Sequence, residues 1–254
     1  KLLAHHKSGT KIRGVDRSLQ AGDIVKVGKT VELECLDTPG HTMCHICLRS
    51  HTEQPALFSG DTLFNAGAGN CHNGGNAEDL YTTFAEQLAK LPAATRVFPG
   101  HDYIENNLRF TLAREPDNAD AKALLPSVAA HDPASARVTT LQEEKRINTF
   151  LRLTSASVSA GLREAFPDLP DKPDAKTVFV KLRELPVDGF AAAALEQING
   201  WKPEECHPAL LQALSAALQA HGRGALDEAE QWLDQAARLS ATHPDVLHLR
   251  GLVA

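Results

Sequence analysis

Three segments of the sequence share one layout: a short β-like run, a tight turn containing glycine, and a side chain able to bind a divalent metal. They are Leu36-Asp37-Thr38-Pro39-Gly40-His41-Thr42, Phe58-Ser59-Gly60-Asp61-Thr62-Leu63-Phe64 and Val97-Phe98-Pro99-Gly100-His101-Asp102-Tyr103. The ligand positions are His41, Asp61 and His101. Two imidazoles and one carboxylate suit borderline divalent ions, with zinc, iron and manganese all compatible. The glycine before each ligand lets the backbone fold back sharply enough to aim the next side chain. Turns at the strand ends of an α/β sheet can bring such side chains to one point.

The elements needed to position these residues are legible around them. Thr30-Val31-Glu32-Leu33-Glu34-Cys35-Leu36 alternates apolar and charged residues at period two and predicts a strand. Ala56–Ser59 and Thr95–Phe98 predict further strands, and the apolar Met43–Leu48 run predicts another. Leu80, Phe84, Leu88 and Leu91 recur at helical spacing over residues 78–91, and residues 104–113 continue as a second helix. Strands alternating with helices give an α/β layer structure. From about 113 to 200 the pattern is mainly helical and punctuated by prolines, with Ile147, Phe150 and Leu151 forming one side of a helix over 141–153. The expected divisions are therefore 1–112, 113–206 and 207–254.

The last division is Ala/Leu-rich. Gly224, Ala229, Leu233 and Ala236, followed by Pro244 and Gly251, place small residues where two helices of a hairpin pack closely. This pattern resembles a tetratricopeptide repeat, and a plain helical hairpin is the alternative.

Composition narrows the function classes. The 254 residues are 43% hydrophobic and 23% charged, which excludes a wholly disordered chain, a collagen-like chain and a coiled-coil rod. No apolar run approaches the ~20 residues that cross a bilayer, so no membrane helix is expected. A net charge of −6 argues against a nucleic-acid-binding surface and leaves small molecules or proteins as partners. The five cysteines are odd in number and read as reduced thiols of the cytoplasm. Cys44 and Cys47 form C-x-x-C, but within an apolar run they read as buried thiols rather than a zinc knuckle. The first residue is Lys, and the sequence reads as clipped at its start.

Pro39-Gly40-His41-Thr42, Gly60-Asp61-Thr62-Leu63-Phe64 and Gly100-His101-Asp102-Tyr103, in that order, resemble the second half of the metallo-β-lactamase αββα sandwich. With Asn106-Asn107-Leu108-Arg109-Phe110 following, they are similar to the hydroxyacylglutathione hydrolase (glyoxalase II) family over about residues 1–200. The resemblance implies an α/β fold followed by a helical substrate-side domain, with His41 and His101 each on one of two metals and Asp61 bridging them. It implies metal-dependent hydrolysis of a glutathione thioester such as S-lactoylglutathione, Asp61 also holding the attacking hydroxide.

The family's four-ligand His-x-His-x-Asp-His motif does not occur in this sequence, and His5-His6 lacks its spacing and acid. The motif is expected upstream of Lys1, and the activity is assigned to the intact protein. On the substrate side Tyr103 matches the family, whereas Asn70 stands where a Lys or Arg is usual and His72 where a Tyr is usual. Arg183 falls near a basic family position, a solvated surface Arg being the alternative. A persulfide dioxygenase or a lactonase of the same fold remains open. So does a remnant without metal whose repeat docks a protein partner.

Overall fold

The structure is a computed structural model and describes residues 1–72, 74–129, 136–185, 213, 214, 216, 217 and 226–239. By contacts the chain divides into two units, Lys1–Leu185 and Pro186–Ala254. Residues 113–185 of the expected helical domain lie within the first unit.

In the first unit, β1 (Leu3–His5) pairs in parallel with β2 (Arg17–Leu19). The principal sheet has six strands in the order β10-β9-β6-β5-β4-β3. These are β3 (Ile24–Val27), β4 (Val31–Asp37), β5 (Ile46–Ser50), β6 (Ala56–Gly60), β9 (Arg96–Pro99) and β10 (Thr139–Thr140). A small hairpin, β7 (Leu63–Phe64) with β8 (Gly67–Ala68), leaves the sheet after β6.

Strand direction fixes where the ligand turns emerge. Both β4 and β6 run antiparallel to β5, so they run parallel to each other, and β9 is parallel to β6. The C-terminal ends of β4, β6 and β9 therefore open on one edge of the sheet, and the turns carrying His41, Asp61 and His101 all start there. Cys47, Leu57 and Val97, on adjacent strands, are fully buried. The strand expected over Met43–Leu48 begins only at Ile46. Met43 is exposed and Cys44 only partly buried, so the buried-thiol reading of the pair holds for Cys47 alone.

Between β8 and β9 lies α1 (Ala77–Glu86), whose first turn is closed by Asn76 accepting from the Glu78 and Asp79 N–H groups. Glu78 and Asp79 also place negative charge at the positive end of the helix dipole. The helix expected to run to Leu91 stops at Glu86, and Leu88–Lys90 continues as a 3-10 turn. The cause is a contact distant in sequence: the Gln87 side chain donates to Asp37 O at 2.7 Å, tying the helix end to the end of β4.

The helices that follow are α2 (Ile104–Arg114), α3 (Ala119–Ala129), α4 (Leu141–Ile147), α5 (Ala156–Ala165) and α6 (Ala175–Glu184). Thr140 and Glu143 form a capping box at the start of α4. The helix expected over 141–153 ends at Ile147, where Asn148 turns the chain into a 3-10 segment at Thr149–Leu151. Phe179 of α6 meets Phe84 of α1 and Phe150 edge-on, each at 5.2 Å between ring centroids, and Phe150 stacks on Phe110 of α2. Each such pair contributes about 0.5–1.5 kcal/mol beyond burial, and together they fix α6 beside α1 and link it through Phe150 to α2.

In the second unit α7 (Leu226–Leu239) buries Ala229, Leu233 and Ala236, one face of a helix, and Ala213, Leu214 and Ala217 are buried as well. Gly224, Pro244 and Gly251 of the repeat-like pattern lie outside the described residues.

Candidate metal centre

The His41 turn is held from α1. Thr83 Oγ1 donates to Pro39 O at 2.7 Å, and the Asn76 N–H donates to Gly40 O at 2.8 Å. Gly40 has φ +142°, and a Cβ there would sit 2.4 Å from Leu80 Cα, so the turn and the helix approach more closely than a side chain permits. On the other side His41 Nδ1 donates to Asn70 O at 2.7 Å. A carbonyl only accepts, so the proton is fixed on Nδ1 and the Nε2 lone pair is left facing Asp61.

Asp61 sits between the two histidines. His41 Nε2 is 3.6 Å from Oδ2, and His101 Nε2 is 3.5 Å from Oδ1. Both separations exceed a good hydrogen bond. Two ligands bonded to one zinc at about 2.1 Å and a tetrahedral angle lie about 3.4 Å apart, so each spacing matches two ligands sharing an ion. Among the described residues no group of three His, Cys, Asp or Glu side chains is placed to hold a metal. Each side of Asp61 thus offers one imidazole and one carboxylate oxygen.

The space around the carboxylate is shaped by glycine. A Cβ at Gly100 would lie 2.5 Å from Asp61 Oδ1, and one at Gly69 would lie 1.7 Å from Asp61 O. His101, half of whose side chain is exposed, stacks on Tyr103 with ring centroids 5.1 Å apart, and Phe64 meets both edge-on. Burial, aided by the Asp61 charge, pushes the Tyr103 hydroxyl above the usual tyrosine range, so it stays protonated at neutral pH.

The family described as metallo-beta-lactamase superfamily matches residues 10–101, and that described as hydroxyacylglutathione hydrolase C-terminus matches residues 102–186. A hydroxyacylglutathione hydrolase of Polaromonas sp. (strain JS666 / ATCC BAA-500) is 79% identical over 185 residues, 73% of this chain and 70% of that protein. The chain belongs to the hydroxyacylglutathione hydrolase family. A hydroxyacylglutathione hydrolase of Nitrosococcus oceani is 64% identical over 185 residues, covering the same shares of the two chains. The crystal structure of ETHE1 from Myxococcus xanthus aligns with 71% of this chain and 64% of that one, at 24% identity and a TM-score of 0.43.

The positions expected on the substrate side differ in their surroundings. Asn70 gives its carbonyl to His41, and its side chain accepts the His72 N–H at 3.2 Å. His72 itself is exposed. Arg183 corrects the surface alternative: its guanidinium is drawn inward, donating from Nη1 to Ala68 O at 3.3 Å and lying 5.3 Å from the Phe150 ring. Burial lowers its pKa, Nε has no hydrogen-bond partner among the described residues, and no carboxylate pairs with it there.

Sequence reasoning missed His45. Its Nε2 accepts the Asp61 N–H at 3.2 Å, so its proton lies on Nδ1, which faces Thr38 Oγ1 at 3.0 Å and Thr62 Oγ1 at 2.9 Å. Burial, helped by neighbouring His41, pushes the His45 pKa down to about 4. A neutral imidazole thus braces the backbone of Asp61. Its place inside an apolar run hid it, since only the fold brings that run under Asp61.

Proposed function

We propose that this chain carries part of the catalytic centre of a metal-dependent thioester hydrolase that cleaves S-lactoylglutathione or a similar hydroxyacylglutathione to glutathione and a hydroxy acid. The observation that carries this reading is Asp61, with one oxygen toward His41 and the other toward His101. His41 and His101 would each hold one of two ions, and Asp61 would lie between them. Zinc suits this donor set, as do iron and manganese. When bound, such ions polarise the thioester carbonyl and make water nucleophilic near neutral pH.

The chain's own residues do the positioning. Asn70 O keeps the His41 Nε2 lone pair outward, and His45 fixes the Asp61 backbone. A ligand in the centre would pass Tyr103, whose hydroxyl stays a hydrogen-bond donor. The Arg183 guanidinium, which faces no carboxylate among the described residues and has the Asn70 and His72 segment beside it, is suited to a carboxylate of the glutathionyl part. His101 facing Asp61 favours two ions over the single ion of a dioxygenase. The His-x-His-x-Asp-His motif that completes the ligand set in the family is absent from these 254 residues, so we infer turnover in a polypeptide that also carries it. Partly or fully buried reduced thiols at Cys35, Cys44, Cys47 and Cys71 suit a reducing compartment such as the cytoplasm.

The test joins this chain to the part of the Polaromonas relative that it does not cover and assays the joined protein with S-lactoylglutathione. Turnover that falls at least about a hundredfold in Asp61→Asn supports the reading. Oxidation of a persulfide with no thioester cleavage would overturn it.

A further inference from the structure

The segment Asn65–Asn70 runs from the β7 end to the carbonyl that orients His41. Four of its six backbone carbonyls accept from side chains elsewhere. Asn107 Nδ2 donates to Asn65 O at 2.9 Å, Asn148 Nδ2 to Gly67 O at 3.0 Å, Arg183 to Ala68 O and His41 to Asn70 O. At its centre Ala66 has φ +58°, the left-handed region, and is the one non-glycine residue in that region among the described residues. An L-residue stays there only where its surroundings over-determine it.

What holds Ala66 is Glu144. This α4 side chain is fully buried and takes three donors: the Ala66 N–H at 2.9 Å on Oε2, Asn148 Nδ2 at 2.9 Å on Oε2, and Thr139 Oγ1 at 2.6 Å on Oε1. Thr139 Oγ1 in turn accepts from Asn65 Nδ2 at 2.7 Å. The same segment reaches the centre at its far end, where Gly69 N–H donates to Thr62 O and the Gly69 backbone lies against Asp61 O.

We propose that Glu144 is a positioning residue for the candidate metal centre: it buckles the chain at Ala66, so that Asn70 O meets His41 Nδ1 and Gly69 lies against Asp61. The consequence for catalysis rests on the proposed role of His41, but the contacts do not. The side chain therefore does at a distance what a neighbouring carboxylate does for a metal-binding imidazole elsewhere, fixing tautomer and ring orientation.

The experiment uses the full 254-residue chain without metal, so its failure leaves the thioester reading untouched. Amide hydrogen exchange reports the loop, and nitrogen-15 spectra of the histidine rings at mildly alkaline pH report the His41 tautomer. In Glu144→Ala, exchange of Ala66 and Gly69 accelerates about tenfold or more while α1 and α2 stay protected, and His41 becomes a mixture of tautomers. Glu144→Gln restores both signals, because its amide oxygen can still accept from Ala66 and Asn148 while the Thr139 hydroxyl turns to accept. If Glu144→Ala does not fold, Thr139→Val, which removes one donor and keeps the carboxyl, shifts both signals in the same direction by less. Loop exchange and His41 tautomer unchanged from wild type, in whichever variant folds, would overturn the proposal and leave Glu144 as a packing residue.

Discussion

His45 Nε2 accepts the backbone N–H of Asp61, and a Cβ on Gly60, where φ is +50°, would lie 2.8 Å from the same nitrogen. The imidazole therefore fills the space under the Asp61 turn that a side chain at residue 60 would otherwise take. His45→Leu keeps the bulk but leaves the Asp61 N–H without its acceptor, which costs about 1–3 kcal/mol. The expected result is that stability by denaturant unfolding falls by that amount and metal affinity of the joined protein falls about tenfold. Unchanged affinity would show that Asp61 does not depend on this brace.

Gly69 is required by contact rather than by φ. Its missing Cβ would overlap Asp61 O at 1.7 Å and crowd His41 Nδ1 at 3.2 Å. Gly69→Ala must displace backbone, at about 3 kcal/mol or more. Gly22, at φ +84° with nothing within 4 Å of its Cβ position, serves as the control, and Gly22→Ala costs about 1 kcal/mol from conformation alone. Equal losses in thermal unfolding would contradict the close approach.

Burial pushes the Glu144 carboxyl up to about 7, although three hydrogen-bond donors oppose the shift. Between roughly pH 4 and pH 7 the folded chain holds a proton that the unfolded chain has released, so stability declines as pH rises through that window. The full effect is about 3 kcal/mol. Glu34, Glu115 and Glu143 are shifted downward and give the opposite slope at lower pH. Denaturant unfolding of wild type and Glu144→Gln across pH isolates the contribution: the difference between them should change from pH 4 to pH 7, and parallel curves would contradict a buried titrating carboxyl.

Arg183 has Phe150 against its guanidinium and Ala68 O on Nη1, which places it beside the segment proposed to face the substrate. Arg183→Met keeps much of the apolar packing and removes the charge. Glutathione binding by the joined protein, measured by calorimetry, should weaken about tenfold, as expected for loss of a charge-assisted contact of about 1.4 kcal/mol. Equal affinity would place the carboxylate elsewhere.

Much of the centre was legible because its signal is local. A strand, a glycine turn and a candidate ligand recur at His41, Asp61 and His101, and strand direction then carries all three to one sheet edge. The period-two pattern of Val31, Leu33 and Cys35 likewise gave β4 nearly to its ends. His45 and Glu144 were not legible, since each acts through a contact distant in sequence: 16 residues to Asp61 and 78 residues to Ala66. In Glu143-Glu144-Lys145-Arg146 nothing local distinguishes the buried glutamate from its charged neighbours. The two shortened helices have the same cause. Gln87 leaves α1 for the Asp37 carbonyl, and the Asn148 side chain caps Phe150 N and reaches Gly67 O instead of extending α4.

In the proposed centre one carboxylate, Asp61, is shared by two ions. Electron paramagnetic resonance of the manganese-loaded joined protein tests it directly, because a bridging carboxylate couples the two spins. The expected result is a coupled signal at two equivalents of manganese that reverts to uncoupled ions in Asp61→Asn. An uncoupled signal in the wild type at full loading, or a coupled one that survives Asp61→Asn, would contradict it.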